Sequence, residues 1–293
     1  MASIDRKTFL QEISLLTGAA FFAGPAFAAK LTTDKSAIKL GFVTYLWGKD
    51  WDLPTLIKNC AETNIGGVEL RVEHAHNVMP DLTAAQRLAV KKRFADSPVK
   101  LVGLGTNQQY DYVDQSQLKA SIERTKEFIR LSADVGGTGV KVKPNALHKE
   151  VSTEKTLTQI GESLNELAKY GADLGQQIRL EVHGEATQEL PAIKQIMDVA
   201  THPNATICWN CNPQDLNGNG FQANFNLVKS RFGATCHVRE LDRTDYPYQA
   251  LLTNLVNMNY KGWVLLECHT NPADKLASMK AQRAVFDQMI GKA

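Results

Sequence analysis

Glu181, Asn210, His237 and Glu267 bring together two carboxylates, an amide and an imidazole. About 30 residues separate each from the next, which is the length of one strand-and-helix unit. Oxygen and nitrogen donors of this kind accept hard-to-borderline divalent ions such as Mn2+, Mg2+, Co2+ or Zn2+. Two carboxylates flanking a substrate can also carry protons to and from opposite faces of a carbon next to a carbonyl. A metal ion beside them would polarise the carbonyl and stabilise an enediolate. Lys141, Lys143, Arg239 and Arg243 suit hydroxyl, carboxylate or enolate oxygens.

Such residues need a repeating scaffold, and the chain has one. After residue 35 a short apolar run, a polar loop and a longer helical segment recur. The apolar runs are 38–44, 67–71, 99–105, 139–143, 178–183, 205–210, 235–240 and 263–267. Helical spacing of apolar residues marks 115–135 and 152–174, the second with Ser152 or Thr153 as N-cap. Glycines at 66–67, 136–137, 171 and 175 are expected near helix ends, in left-handed caps. Alternating strands and helices predict a parallel sheet, and eight units predict an α/β fold with one closed (β/α)8 barrel, a TIM barrel over residues 36–293. No G-x-G-x-x-G opens a helix after the first strand, which disfavours a dinucleotide fold.

Side chains alternate between the two faces of a strand, and buried barrel strands are normally apolar on both. Here one face is polar. Lys141 and Lys143 share it on the fourth strand, and Arg179, Glu181 and His183 on the fifth. Asn210 and Asn212 follow on the sixth, His237 and Arg239 on the seventh, Glu267 and His269 on the eighth. All lie toward strand C-termini, the end at which barrel enzymes carry their chemistry. A buried ion-pair network that only fills the barrel is the structural alternative. Desolvating charges on so many adjacent strands is costly without a use for them.

Over about residues 38–290 the chain resembles the xylose isomerase-like barrel superfamily of sugar isomerases, ketose 3-epimerases and related proteins. The resemblance rests on Leu-Glu-Val-His-Gly at 180–184, Cys-Trp-Asn-Cys-Asn at 208–212, His-Val-Arg-Glu-Leu-Asp-Arg at 237–243 and Leu-Leu-Glu at 265–267. It implies Glu181, Asn210, His237 and Glu267 as metal ligands, with Glu181 and Glu267 as the acid/base pair. It also implies a substrate contact for Arg243, through the H-x-x-E-x-x-R spacing from His237. Asn210 departs from the family pattern, which has Asp there. An amide oxygen coordinates with one negative charge fewer, so divalent binding weakens. Three arrangements stay open: a weaker site, a ligand moved to His183 or Asn212, or a site that has lost its metal. The Trp-Asn-Cys-Asn-Pro run at 209–213 is similar to an exported branch of the family.

The expected activity is a metal-dependent isomerase or epimerase of a non-phosphorylated sugar. A lyase or hydrolase of keto-glycosides using the same glutamates is one alternative, and a sugar-binding barrel without catalysis is another. Expected substrate-binding residues are His183, Lys143, Asn212, Arg239 and Arg243, joined by His74, His76 and Asn107 on loops over the barrel mouth. His-x-His is also common on solvated loops, and the 107–112 segment reads equally as a plain polar loop. Trp47 and Trp51 are better read as packing.

The first 28 residues read as a signal peptide: Arg6 and Lys7, an apolar stretch at 13–23, and Ala26-Phe27-Ala28 as the cleavage site. Residues 5–11 resemble a twin-arginine motif with Lys7 in place of the second arginine. The expected location is therefore the periplasm, with cleavage after Ala28. No cysteine follows to carry a lipid anchor. Near-balanced charge, a formal +2, and a low aromatic content give no nucleic-acid surface. The expected partner is a small carbohydrate, and homo-oligomerisation is left open. The five cysteines read as small buried apolar residues, with one disulfide among them conceivable.

Overall fold

The computed structural model describes residues 37–291, so the signal-peptide expectation lies outside the described residues. The eight strands are β1 (Lys39–Val43), β2 (Gly67–Arg71), β3 (Lys100–Gln109), β4 (Gly139–Lys143), β5 (Gln177–Glu181), β6 (Ala205–Trp209), β7 (Phe232–Val238) and β8 (Trp263–Leu266). They follow sequence order around a closed barrel, and every neighbouring pair is parallel. The seam pairs Lys39 to Phe42 of β1 with Trp263 to Leu266 of β8. Among the described residues eight α-helices separate and follow the strands: α1 (Leu53–Glu62), α2 (Ala84–Ala95), α3 (Gln115–Val135), α4 (Thr153–Ala172), α5 (Leu190–Val199), α6 (Phe221–Val228), α7 (Tyr248–Asn257) and α8 (Lys275–Met289).

Local chemistry sets these boundaries. Ser152 caps α4 by accepting from the Lys155 N–H, and Asp114 and Asp274 cap α3 and α8 in the same way. Gly136 (φ 89°) closes α3 in the left-handed conformation, and Gly175 (φ 65°) takes it beyond α4. Gly66, Gly137 and Gly171 do not take it; after α1, Asn64 (φ 55°) does so instead. The apolar faces of the helices pack on the outward strand residues, where Val140, Val142, Ile178, Leu180, Val264 and Leu266 are fully buried. All five cysteines are buried and free, so the expectation of a disulfide is not met.

Inside the barrel, the layer below the mouth is built around Arg179. Its guanidinium donates to Val102 O (3.1 Å), Thr138 Oγ1 (2.8 Å) and Gln177 Oε1 (3.2 Å). Gly139 leaves the space, since a Cβ there would lie 2.7 Å from the guanidinium carbon. Arg179 is thus a plug of the barrel floor, and the inward residue above it, Glu181, is the one that reaches the mouth.

Candidate active site

Strand alternation carries Glu181 to the end of β5, His237 into β7 and Glu267 to the residue just after β8. Their ligand atoms all lie within 4.8 Å of one another, and all three residues are buried. His237 Nδ1 is 3.5 Å from both Glu181 Oε1 and Glu267 Oε2 and makes no hydrogen bond. On the other side of the ring, Nε2 lies 3.1 Å from Glu69 Oε1 on β2. A carboxylate accepts only, so Nε2 carries a hydrogen, and Nδ1 is the ring nitrogen that faces the two carboxylates. A carboxylate behind a histidine is the usual way to fix the tautomer of a metal ligand.

The electrostatics agree. Burial opposes ionisation of Glu181, but the Lys141 ammonium and His237 outweigh it and hold the carboxyl well below its usual range. Burial likewise opposes ionisation of Glu267, and His237 lowers it despite repulsion from Glu181. For His237, burial disfavours the cation, yet Cys208, Glu69 and Glu267 raise it well above its ordinary value. A proton or a divalent cation on Nδ1 satisfies the same two carboxylates, and the two compete for one position. Donor types, an orphaned Nδ1 and convergent carboxylates all fit a divalent ion. Asn210 stands beside the cluster, with its amide nitrogen 3.4 Å from Glu181 Oε1. Glu181 Oε2 is taken by Lys141 Nζ at 2.7 Å, which leaves Oε1 for the cluster.

Glu69 was absent from the residues expected at the site. The parity rule that found Glu181 would have placed Glu69 and Arg71 inward on Gly-Val-Glu-Leu-Arg. Gly105 on β3 keeps the place open, since a Cβ there would sit 2.8 Å from Glu69 Oε1. Replacing Glu69 with glutamine is expected to weaken Mn2+ or Zn2+ binding about 10- to 100-fold, as measured by titration calorimetry. Unchanged affinity would remove its orienting role.

Above the cluster opens a cavity of about 310 Å3, at the small end of ligand pockets. Of the residues expected to bind substrate, it is lined by Lys143, His183, Asn212 and Arg239, together with Asn210, Glu181 and Glu267. Lys141, Tyr45, Arg71, Gln188 and His269 complete the wall and were not among those residues. Asn212 also ties strands together, donating to Val182 O at 2.6 Å.

Four expected residues do not line the cavity. His76 is buried: its Nδ1 accepts from the Val78 N–H and its Nε2 donates to Arg71 O (2.8 Å). Asn107 accepts from the Arg71 guanidinium at 3.1 Å, one step outside the wall. His74 packs against His76. Arg243 turns to the rim and pairs with Asp245 two residues on. The glutamate of that H-x-x-E-x-x-R spacing, Glu240, accepts from the backbone of His269 and Thr270 and shapes the loop after β8. Trp47 is buried and donates to Thr270 O, as packing requires. Tyr110 is buried against Thr125 and offers no face to a sugar.

Behind Asn212 lies a buried acid. Asp215 Oδ2 accepts from the Asn212 N–H (3.0 Å) and the Tyr246 hydroxyl (2.6 Å), while Oδ1 has no partner. Burial pushes its carboxyl up to about 7. The folded protein therefore keeps a proton that the unfolded chain loses near pH 3.8, its ordinary value. This group's contribution is full below about pH 4 and is lost as pH rises toward about 7, by up to about 1.4 kcal/mol per pH unit. Urea melts across that window are expected to show the decline, flattened in Asp215→Asn. Equal slopes in the two proteins would contradict it.

A closed barrel with carboxylates and an imidazole at its strand C-termini defines a class of barrel proteins with a candidate metal site. The chain belongs to the xylose isomerase-like TIM barrel family, whose model matches residues 57–288. No curated protein matches the sequence. Among solved structures, an L-ribulose 3-epimerase superposes with a TM-score of 0.73 at 14% identity, covering 87% of this chain and 95% of that one. The IolI protein with a zinc atom gives 0.71 at 14% identity, over 87% and 98%. The 3-keto-D-glucoside 4-epimerase YcjR from E. coli gives 0.69 at 13% identity, over 87% and 100%. At such identities the likeness is one of fold.

Proposed function

We propose that this barrel is a divalent-metal-dependent isomerase or epimerase that removes and returns a proton next to the carbonyl of a sugar. The observation that carries the reading is His237 Nδ1, buried and unpartnered between Glu181 and Glu267. Glu181, His237 and Glu267, with Asn210 beside them, would hold the ion. When bound, it polarises the substrate carbonyl and stabilises charge developing on its oxygen.

The chain's own groups do the rest. Glu267 is held by no lysine and faces the cavity, so it is the freer carboxylate to accept a proton. Glu181 is held ionised by Lys141 and comes from β5, three strands away around the barrel, so the two carboxylates reach the substrate from different sides. His183 and Asn212 line the wall where sugar hydroxyls would sit. The names of the epimerase relatives favour this reading over a binding protein without catalysis.

The test is solvent hydrogen exchange. Incubation in D2O with Mn2+, Co2+ or Zn2+ and a panel of D-fructose, L-ribulose and a 3-keto-D-glucoside is expected to place deuterium on the carbon next to the carbonyl. No incorporation with any metal and any member of the panel would refute the reading. Release of the aglycone from the keto-glucoside would move it to the lyase chemistry of the same glutamates.

A further inference from the structure

Three cations at the mouth have no carboxylate within ion-pair distance. Arg71 ends β2, Lys143 ends β4 and Arg239 follows β7; all three line the cavity and are partly buried. Among the described residues, none of them forms an ion pair. The fourth cation of the wall, Lys141, is offset by Glu181. That leaves Glu267 as the one further carboxylate of the wall, and it faces His237. A divalent ion in the cluster would add to the positive surplus, so the surplus does not depend on one being present.

Unpaired lysines and arginines on an open surface are ordinary. These are withdrawn into a concave site, where charge is costly unless a partner arrives. Arg71 is also held in place. Its guanidinium lies over the Tyr45 ring (5.3 Å) and donates to Asn107 Oδ1. Its N–H donates to Thr44 Oγ1 at 2.8 Å, and its carbonyl accepts from His76. His76 is neutral there, lowered to about 4 by burial. Every one of these partners is uncharged. Burial and the neighbouring Lys141 and Arg71 also lower Lys143, outweighing the opposite pull of Glu181 and Glu267. A guanidinium fixed by neutral contacts is the usual receiver of a carboxylate or phosphate.

We propose that the substrate of this cavity carries an acidic group, a carboxylate or a phosphate, received between Arg71 and Lys143. Arg239, on the far wall of the barrel, adds to the attracting field. The inference rests on the cavity being the substrate site, as in the function proposed above.

Titration calorimetry of the full chain with matched pairs tests it: D-glucuronate against D-glucose, and D-fructose 6-phosphate against D-fructose. At least one acid is expected to bind about tenfold or more tightly than its neutral partner. The preference should shrink as salt rises from about 0.05 M to about 0.5 M. The ratio of acid to neutral-sugar affinity should fall at least about fivefold in Arg71→Gln and in Lys143→Gln. The pair that shows the preference tells carboxylate from phosphate. Circular dichroism confirms that each variant folds, and either variant alone suffices. Acids that bind no better than their partners, or that do not bind, overturn the inference, as does a preference that survives both substitutions. Binding of an acid without hydrogen exchange would keep this inference and remove the isomerase reading. Exchange on neutral sugars alone would do the reverse.

Discussion

Glu267→Gln is expected to lower solvent hydrogen exchange by about 10²- to 10⁴-fold while leaving the fold intact. That is the range by which a positioned acid or base speeds a proton transfer. Glu267 is the cleaner of the two glutamates to change. Its carboxylate is buried, faces the cavity and approaches His237 Nδ1 at 3.5 Å, but it holds no lysine. Glu181→Gln would remove the same chemistry and also strip Lys141 of its carboxylate partner, mixing activity with stability. Because the lost interaction belongs to the proton transfer, kcat and kcat/KM should fall together in Glu267→Gln. The measurement is deuterium incorporation per enzyme, alongside the thermal melt of the variant. Exchange within about twofold of the parent would take Glu267 out of the reaction.

Lys141→Met is expected to cost about 3–5 kcal/mol of stability, because it leaves the Glu181 carboxylate buried without its ammonium. Both side chains are 2% exposed and their contact is 2.7 Å. The pair shifts in the matching directions, Lys141 raised and Glu181 lowered, although burial opposes both charges. His237 cannot take over, since its Nε2 is engaged by Glu69 and its Nδ1 is 3.5 Å away. Urea denaturation should show a lower midpoint with an unchanged slope. Lys141→Met combined with Glu181→Leu should recover most of the loss, as when a buried ion pair gives way to apolar residues of similar size. A single variant within about 0.5 kcal/mol of the parent would mean that the pair is not a buried one in solution.

The barrel was legible because apolar runs recur at the length of one strand-and-helix unit. The inward face of β4, β5 and β7 was legible because strand alternation is strict. Lys141, Glu181 and His237 therefore meet where parity put them. Glu69 and Arg71 obey the same rule on β2, where the alternation in Gly-Val-Glu-Leu-Arg puts both on the inward face. The residues on loops were another matter. Nothing in His-x-His says that the second ring folds back to accept from Val78 and hold the Arg71 carbonyl. Spacing alone could not foresee that Arg243 would be captured by Asp245. Strands obey a period that the sequence displays, whereas loop side chains are placed by contacts that form only after the barrel closes.

The central claim is that Glu181, His237 and Glu267 share one divalent cation beneath the substrate. Anomalous diffraction from crystals of the full chain grown with Mn2+ tests it most directly. The account predicts a single strong peak in contact with Glu181 Oε1, His237 Nδ1 and Glu267 Oε2, with Asn210 alongside. An empty cluster in which His237 Nδ1 hydrogen-bonds the two carboxylates itself, at saturating Mn2+, would contradict it.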